Sequence, residues 1–103
     1  MIVYEVNLEI DAALRDAYLP WLQAHVAEML RFDGFAAATI EHVVDPAPAA
    51  GRFALCVRYR VRDQACLDDY FARHSARMRE DGIARFGDGF SATRRVLMPI
   101  ADN

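Results

Sequence analysis

The chain has 103 residues, 54% of them hydrophobic, and a formal charge of −3 from 12 basic and 15 acidic side chains. That length suits one domain, residues 1–103, burying about two-thirds of the surface its unfolded chain would expose. So small and evenly spread a charge excludes the electrostatic footprint of a nucleic-acid or anionic-membrane partner.

From Ile2 to Ile10 the apolar Ile2, Tyr4, Val6, Leu8 and Ile10 alternate with Val3, Glu5, Asn7 and Glu9, the period of a strand with one buried face. Asp11 reads as the N-cap of a helix carrying Leu14, Tyr18, Trp21, Leu22, His25, Val26 and Met29 at helical spacing to about Arg31. Pro20 removes one hydrogen bond inside it, so a kink or restart is expected near Tyr18 to Pro20, and Gly34 is expected to close the helix. Phe35 to Val44 follows as a second strand, weakened by Ala36, Ala37 and Ala38. Asp45 to Gly51, with Pro46 and Pro48, forms a mobile hairpin loop.

Phe53 to Arg62 alternates without a fault and predicts the third strand. Asp63 caps a second helix whose stripe is Leu67, Tyr70, Phe71, His74 and Met78, with Gly82 as its end and Ile83 to Phe86 as one more turn. Gly87 to Gly89 turns the chain into a last strand, Phe90 to Met98, which Pro99 terminates. No signal-peptide-like leader and no spanning segment is seen, and Cys56 and Cys66 lack metal spacing. A cytoplasmic location with free thiols is expected.

The order strand-helix-strand, written twice, predicts an α+β, ferredoxin-like βαββαβ fold: a four-stranded antiparallel sheet with two helices on one face. The first and third strands become central neighbours. Their apolar sides then meet the helices, while Glu5, Asn7 and Glu9 oppose Arg58, Arg60 and Arg62 on the other face. That charged face reads either as a solvated surface or as a polar interior sealed by a second subunit.

The helix-sheet layer carries the candidate chemistry. Trp21 precedes His25 by four residues, and Tyr70 precedes His74 by four, so both imidazoles lie on apolar stripes. One such histidine is ordinarily a core residue held by one hydrogen bond; two, each behind an aromatic, mark His25 and His74 as candidate acid/base residues. Arg94 shares its side of the last strand with Phe90, Ala92, Val96 and Met98, so it either pairs with a buried acid or awaits an anionic ligand. A bulge near Gly89 would shift that place to Arg95. Tyr4, Tyr59 and Tyr70 complete the candidate ligand-binding set of Tyr4, Trp21, His25, Tyr59, Tyr70, His74 and Arg94. Two histidines on separate helices lack a third ligand, so no metal is expected. No cofactor motif, Gly-x-Ser-x-Gly elbow or phosphate cradle is present.

The opening Ile2-Val3-Tyr4-Glu5-Val6, the stretch Trp21 to Val26, Asp45-Pro46 and the ending Ala84 to Leu97 together resemble an uncharacterised domain family of the dimeric α+β-barrel superfamily. The resemblance spans nearly the whole chain. It implies a homodimer whose sheets close face to face and a pocket between helices and sheet in each subunit. Other branches include antibiotic-biosynthesis monooxygenases, haem-degrading monooxygenases, stress-responsive barrels and regulator effector domains, so it implies fold more narrowly than function. Haem enters only by analogy to those branches. The reading is therefore a homodimer binding a small anionic or aromatic molecule, with no nucleic-acid or membrane partner. The alternatives are a cofactor-free oxygenase or isomerase, and a non-catalytic regulatory or assembly dimer.

Overall fold

Period-two alternation along the chain produces a single antiparallel sheet of β1 (Ile2–Asp11), β2 (Phe35–His42), β3 (Arg52–Val61) and β4 (Phe90–Leu97), in the order β2-β3-β1-β4. A computed structural model describes all of residues 1–103. The pairing is the expected one, with β1 between β3 and β4. Tyr4 opposes Tyr59, Val6 opposes Val57 and Leu8 opposes Leu55, so the apolar sides of the two central strands form one surface. Onto it pack α1 (Arg15–Met29), α2 (Gln64–Arg73) and α3 (Ser75–Phe86), through Tyr18, Leu22, Val26 and Met29 of α1, Leu67 and Tyr70 of α2, and Met78 of α3. The thinnest dimension is 18 Å, as two layers require.

Several local expectations are overturned by tertiary contacts. Asp11 does not cap a helix. Arg52 faces it across the β1-β3 pair and donates Nε to its carboxylate at 3.2 Å, so β1 runs through Asp11 and a 3-10 turn at Ala12–Leu14 leads into α1. Helix α1 is unbroken through Pro20, which lies on its exposed side, where water can satisfy the carbonyl that proline leaves free. It ends at Met29, well before Gly34, which does not cap it. Gly34 instead turns the chain into β2 with φ 81°, where a Cβ would lie 2.6 Å from Cβ and Sγ of Cys66.

The predicted second helix is two. His74, at φ −130° and ψ −27°, interrupts it, and the Ser75 hydroxyl donates to the Phe71 carbonyl at 3.0 Å across the break. Gly82 is therefore no terminus; it sits inside α3, where a Cβ would lie 3.2 Å from both Trp21 and Phe90. Those rings occupy the space a side chain would need. The helix ends instead at Gly87, φ 56°.

The open face of the sheet also departs from the simple acidic-against-basic pattern. Of Glu5, Asn7 and Glu9, only Glu5 faces an arginine across β1 and β3, because the register sets Asn7 against Cys56 and Glu9 against Ala54, and leaves Arg60 opposite Val3. Glu5 gains a second arginine from β4: Arg95 donates Nε to it at 2.7 Å, Arg58 a guanidinium nitrogen at 3.1 Å and Asn7 its amide at 3.0 Å. The Arg95 bond, then Asn7, holds the Glu5 carboxyl below its ordinary pKa. Arg62 turns away to Asp33 and Asp63. Glu9 accepts from the Ala49 backbone at 3.2 Å, tying the β2-β3 loop to β1.

Candidate functional site: a cavity between helices and sheet

The side chains that β1, β3, α1 and α3 turn inward do not fill the space between the layers. They leave a half-open cavity of about 270 Å³, and 14 of its 20 lining residues are hydrophobic. Tyr4, Trp21, His25, Tyr59, Tyr70 and Arg94 from the candidate set all line it. His74 does not. Its ring stacks on Phe32 at 4.4 Å and 19° at the α2-α3 break, away from the opening. The helix interruption that sequence periodicity does not show is what removes His74 from the stripe it was read on.

Trp21 and His25 lie on consecutive turns of α1 and stack at 4.7 Å and 24°. They stand between the cavity and a shallow outer groove shared with Glu28 and Asp81. Burial pushes the His25 imidazole below its usual pKa and Arg94 adds to this, against the pull of Glu28 and Asp81. The ring is thus neutral at neutral pH, one nitrogen a donor and the other an acceptor. Burial raises the hydroxyl pKa values of Tyr18, Tyr59 and Tyr70, and the neighbouring tyrosines oppose ionisation of Tyr59 further. These phenols are hydrogen-bonding groups and not bases.

Strand register decides which arginine reaches the site. Val6 pairs with Arg94 and Glu5 with Arg95, so Arg94 shares the helix-facing side with Ala92 and Phe90 while Arg95 points to the open face. Because β4 is an edge strand, the Arg94 side chain is exposed rather than enclosed, and no carboxylate lies within 4.0 Å of it. Of the two alternatives for Arg94, the buried acid partner is absent; Glu5 is committed to Arg95 and Arg58, and Glu9 to Ala49. Sequence reasoning missed Arg79, which also lines the cavity. The sequence stripe, read straight through His74 with Gly82 as its end, did not point to it; in the structure Arg79 lies four residues after buried Ser75 and three before buried Gly82, at the edge of the inward stripe of α3. Both guanidiniums act on the Tyr4 hydroxyl, countering the rise in its pKa that burial causes. No three His, Cys, Asp or Glu side chains converge as a metal-ligand group.

Strand order, a helical layer on one face and a cavity between the two define a ferredoxin-like α+β protein. The same fold is found in a dimeric ferredoxin-like protein from an uncultured marine organism, with TM-score 0.70, 9% identity, and 99% of this chain and 97% of that one covered. It is found too in a Streptomyces coelicolor monooxygenase solved with the ligand Nanaomycin D, with TM-score 0.70, 17% identity, and 99% and 89% covered. A third similar structure is an antibiotic biosynthesis monooxygenase, so described provisionally, from Deinococcus radiodurans, with TM-score 0.63, 14% identity, and 100% and 97% covered. Within this class the chain belongs to the family described as a domain of unknown function, DUF4286, which matches residues 1–100. No curated protein sequence matches it. No helix is long and apolar enough to cross a membrane.

Proposed function

We propose that this protein binds a small molecule in the cavity between its helices and sheet. The observation that carries the reading is the opening itself. A half-open space of about 270 Å³ between two packed layers has room for several times the roughly 30 Å³ that one water occupies in the liquid, and its lining is mostly apolar. A purely structural dimer would be expected to fill this layer. Mostly apolar walls with a few convergent polar groups are the usual composition of a ligand site. The Streptomyces monooxygenase of the same fold was solved with a small-molecule ligand, which supports the reading without extending that protein's activity to this one.

Binding is better supported than turnover. His25 is a neutral imidazole at the cavity wall, suited to acid/base work, but no carboxylate lines the cavity to orient or complement it. His74, the other candidate, stacks elsewhere.

Trp21 is the chain's single tryptophan and lines the cavity, so its fluorescence reports occupancy without a label. Titration with 2-naphthoate or 2-naphthamide is expected to quench Trp21 saturably. Ala92 faces the cavity opposite Leu8, so Ala92→Phe projects a ring into the opening. Loss of saturable quenching in a folded Ala92→Phe variant is the expected result; unchanged quenching would place the ligand elsewhere.

The same proposal includes a homodimer closed sheet to sheet. Its supports are the uncovered sheet face, where Glu5 is already neutralised by Arg58 and Arg95, and a neighbouring structure described as dimeric. Light scattering at micromolar concentration is expected to give twice the chain mass of 11.6 kDa. A mass of one chain would contradict the dimer and leave the cavity reading intact.

A further inference from the structure

The cavity's charge is at odds with the chain that builds it. The protein carries a formal charge of −3, with 15 acidic residues, yet not one Asp or Glu is among the 20 residues lining the cavity, whereas two arginines are. Arg52, Arg58, Arg62, Arg73, Arg77 and Arg95 each meet a carboxylate within 4.0 Å; of the six arginines that meet none, Arg15, Arg31, Arg60, Arg79, Arg85 and Arg94, only Arg79 and Arg94 line the cavity. They arrive from separate elements, α3 and β4, and both reach the neighbourhood of the Tyr4 hydroxyl on β1. Both guanidiniums are exposed at the cavity's edge, so an anion entering there meets two positive charges and no negative one.

We infer that the cavity takes a monocarboxylate with an aromatic or apolar body, its carboxylate held by Arg79 and Arg94 beside the Tyr4 hydroxyl. This rests on the small-molecule reading of the cavity and adds the class of ligand. A guanidinium fork matches the two oxygens of a carboxylate, and the Tyr4 hydroxyl supplies a further donor. The rest of the wall sets the body of the ligand: Tyr18, Trp21, Tyr59 and Phe90 offer ring faces and edges, and Leu22 and Met29 offer aliphatic surface. A phosphoryl dianion suits the site less well. Helix α3 presents Ile83 and Gly87, from its C-terminal end, where the backbone dipole opposes negative charge, and no helix N-terminus opens onto the cavity in compensation.

The test compares 2-naphthoate with 2-naphthamide, which are alike in shape and differ in charge, by calorimetry on the full chain at low ionic strength. Naphthoate is expected to bind at least about tenfold more tightly, as a charge-assisted contact implies. Arg79→Met and Arg94→Met, which keep the aliphatic stem, are each expected to weaken naphthoate about tenfold while changing naphthamide less than about twofold. The comparison of the two compounds on the unmodified protein stands even if a variant folds poorly. Equal affinity for both compounds, or a naphthoate affinity unchanged in the double variant, would overturn the inference and leave the cavity reading standing. Binding of neither compound would overturn both.

Discussion

Tyr18→Ala is expected to destabilise the protein by about 3–5 kcal/mol, the range for truncating a buried aromatic side chain. Tyr18 is 1% exposed and lies at the centre of an aromatic cluster, its ring 4.8 Å from Phe86, 5.5 Å from Trp21 and 5.7 Å from Phe90. Those contacts join α1 to α3 and to β4, so one side chain holds three elements in register. The void left by alanine would merge with the existing cavity, and collapse around it is limited because Gly82 already brings α3 against Trp21 and Phe90. Tyr18→Phe keeps the ring and should cost far less. Urea denaturation of the three proteins measures this; a cost for Tyr18→Ala below about 1 kcal/mol would mean that the cluster does not hold the helical layer to the sheet.

Glu5→Gln should cost roughly 1–3 kcal/mol at neutral pH, the range for disrupting hydrogen bonds to a charged group. The side chain of Glu5 is 3% exposed and accepts from Arg95, Arg58 and Asn7; glutamine keeps the shape but loses the charge and one acceptor. Arg58 and Arg95 remain largely in water, which screens the ion pairs and keeps the expected cost modest. The pH dependence follows from the sign of the shift. The folded-state pKa of Glu5 is depressed, so the unfolded chain takes up its proton first on acidification. The carboxylate's contribution is complete above the ordinary value of 4.5 and is lost as pH falls through the lower folded-state value. Stability curves of the parent and Glu5→Gln should therefore be furthest apart at pH 7 and converge below pH 4.5. A gap that is constant with pH would show that the carboxylate's charge is not what Glu5 contributes.

Those parts of the structure that depend on one strand's own period were legible in the sequence. Alternation along Ile2–Ile10 and Phe53–Val61 gave both central strands and their buried faces; period two favoured Arg94 as the inward arginine, but only the unshifted β1-β4 register removes the alternative of a bulge that would have put Arg95 there. What depends on a neighbour in space was not. Asp11 has the residue type of a helix cap, and only the β1-β3 register shows that Arg52 takes its carboxylate. Gly82 has the residue type of a terminus, and only the packing of Trp21 and Phe90 shows why a helix interior needs glycine there. His74 and Arg79 exchange places for the same reason. The interruption at His74 turns its ring to Phe32, and the following helix carries Arg79 to the cavity. Helical spacing read straight through that break could not place either residue.

The central claim, that the space between helices and sheet is a binding site, is tested most directly by locating a bound molecule in solution. Intermolecular nuclear Overhauser effects between the ring protons of 2-naphthoate and the labelled protein report contacts shorter than roughly 5 Å, about the reach of ring-to-ring packing. The cavity reading expects cross-peaks to the Ala92 methyl, the Trp21 indole and the Met29 methyl, which line the opening from β4 and α1. Cross-peaks confined to the open sheet face, at Ala54, Thr93 or Val3, or no cross-peaks at saturating ligand, would contradict it.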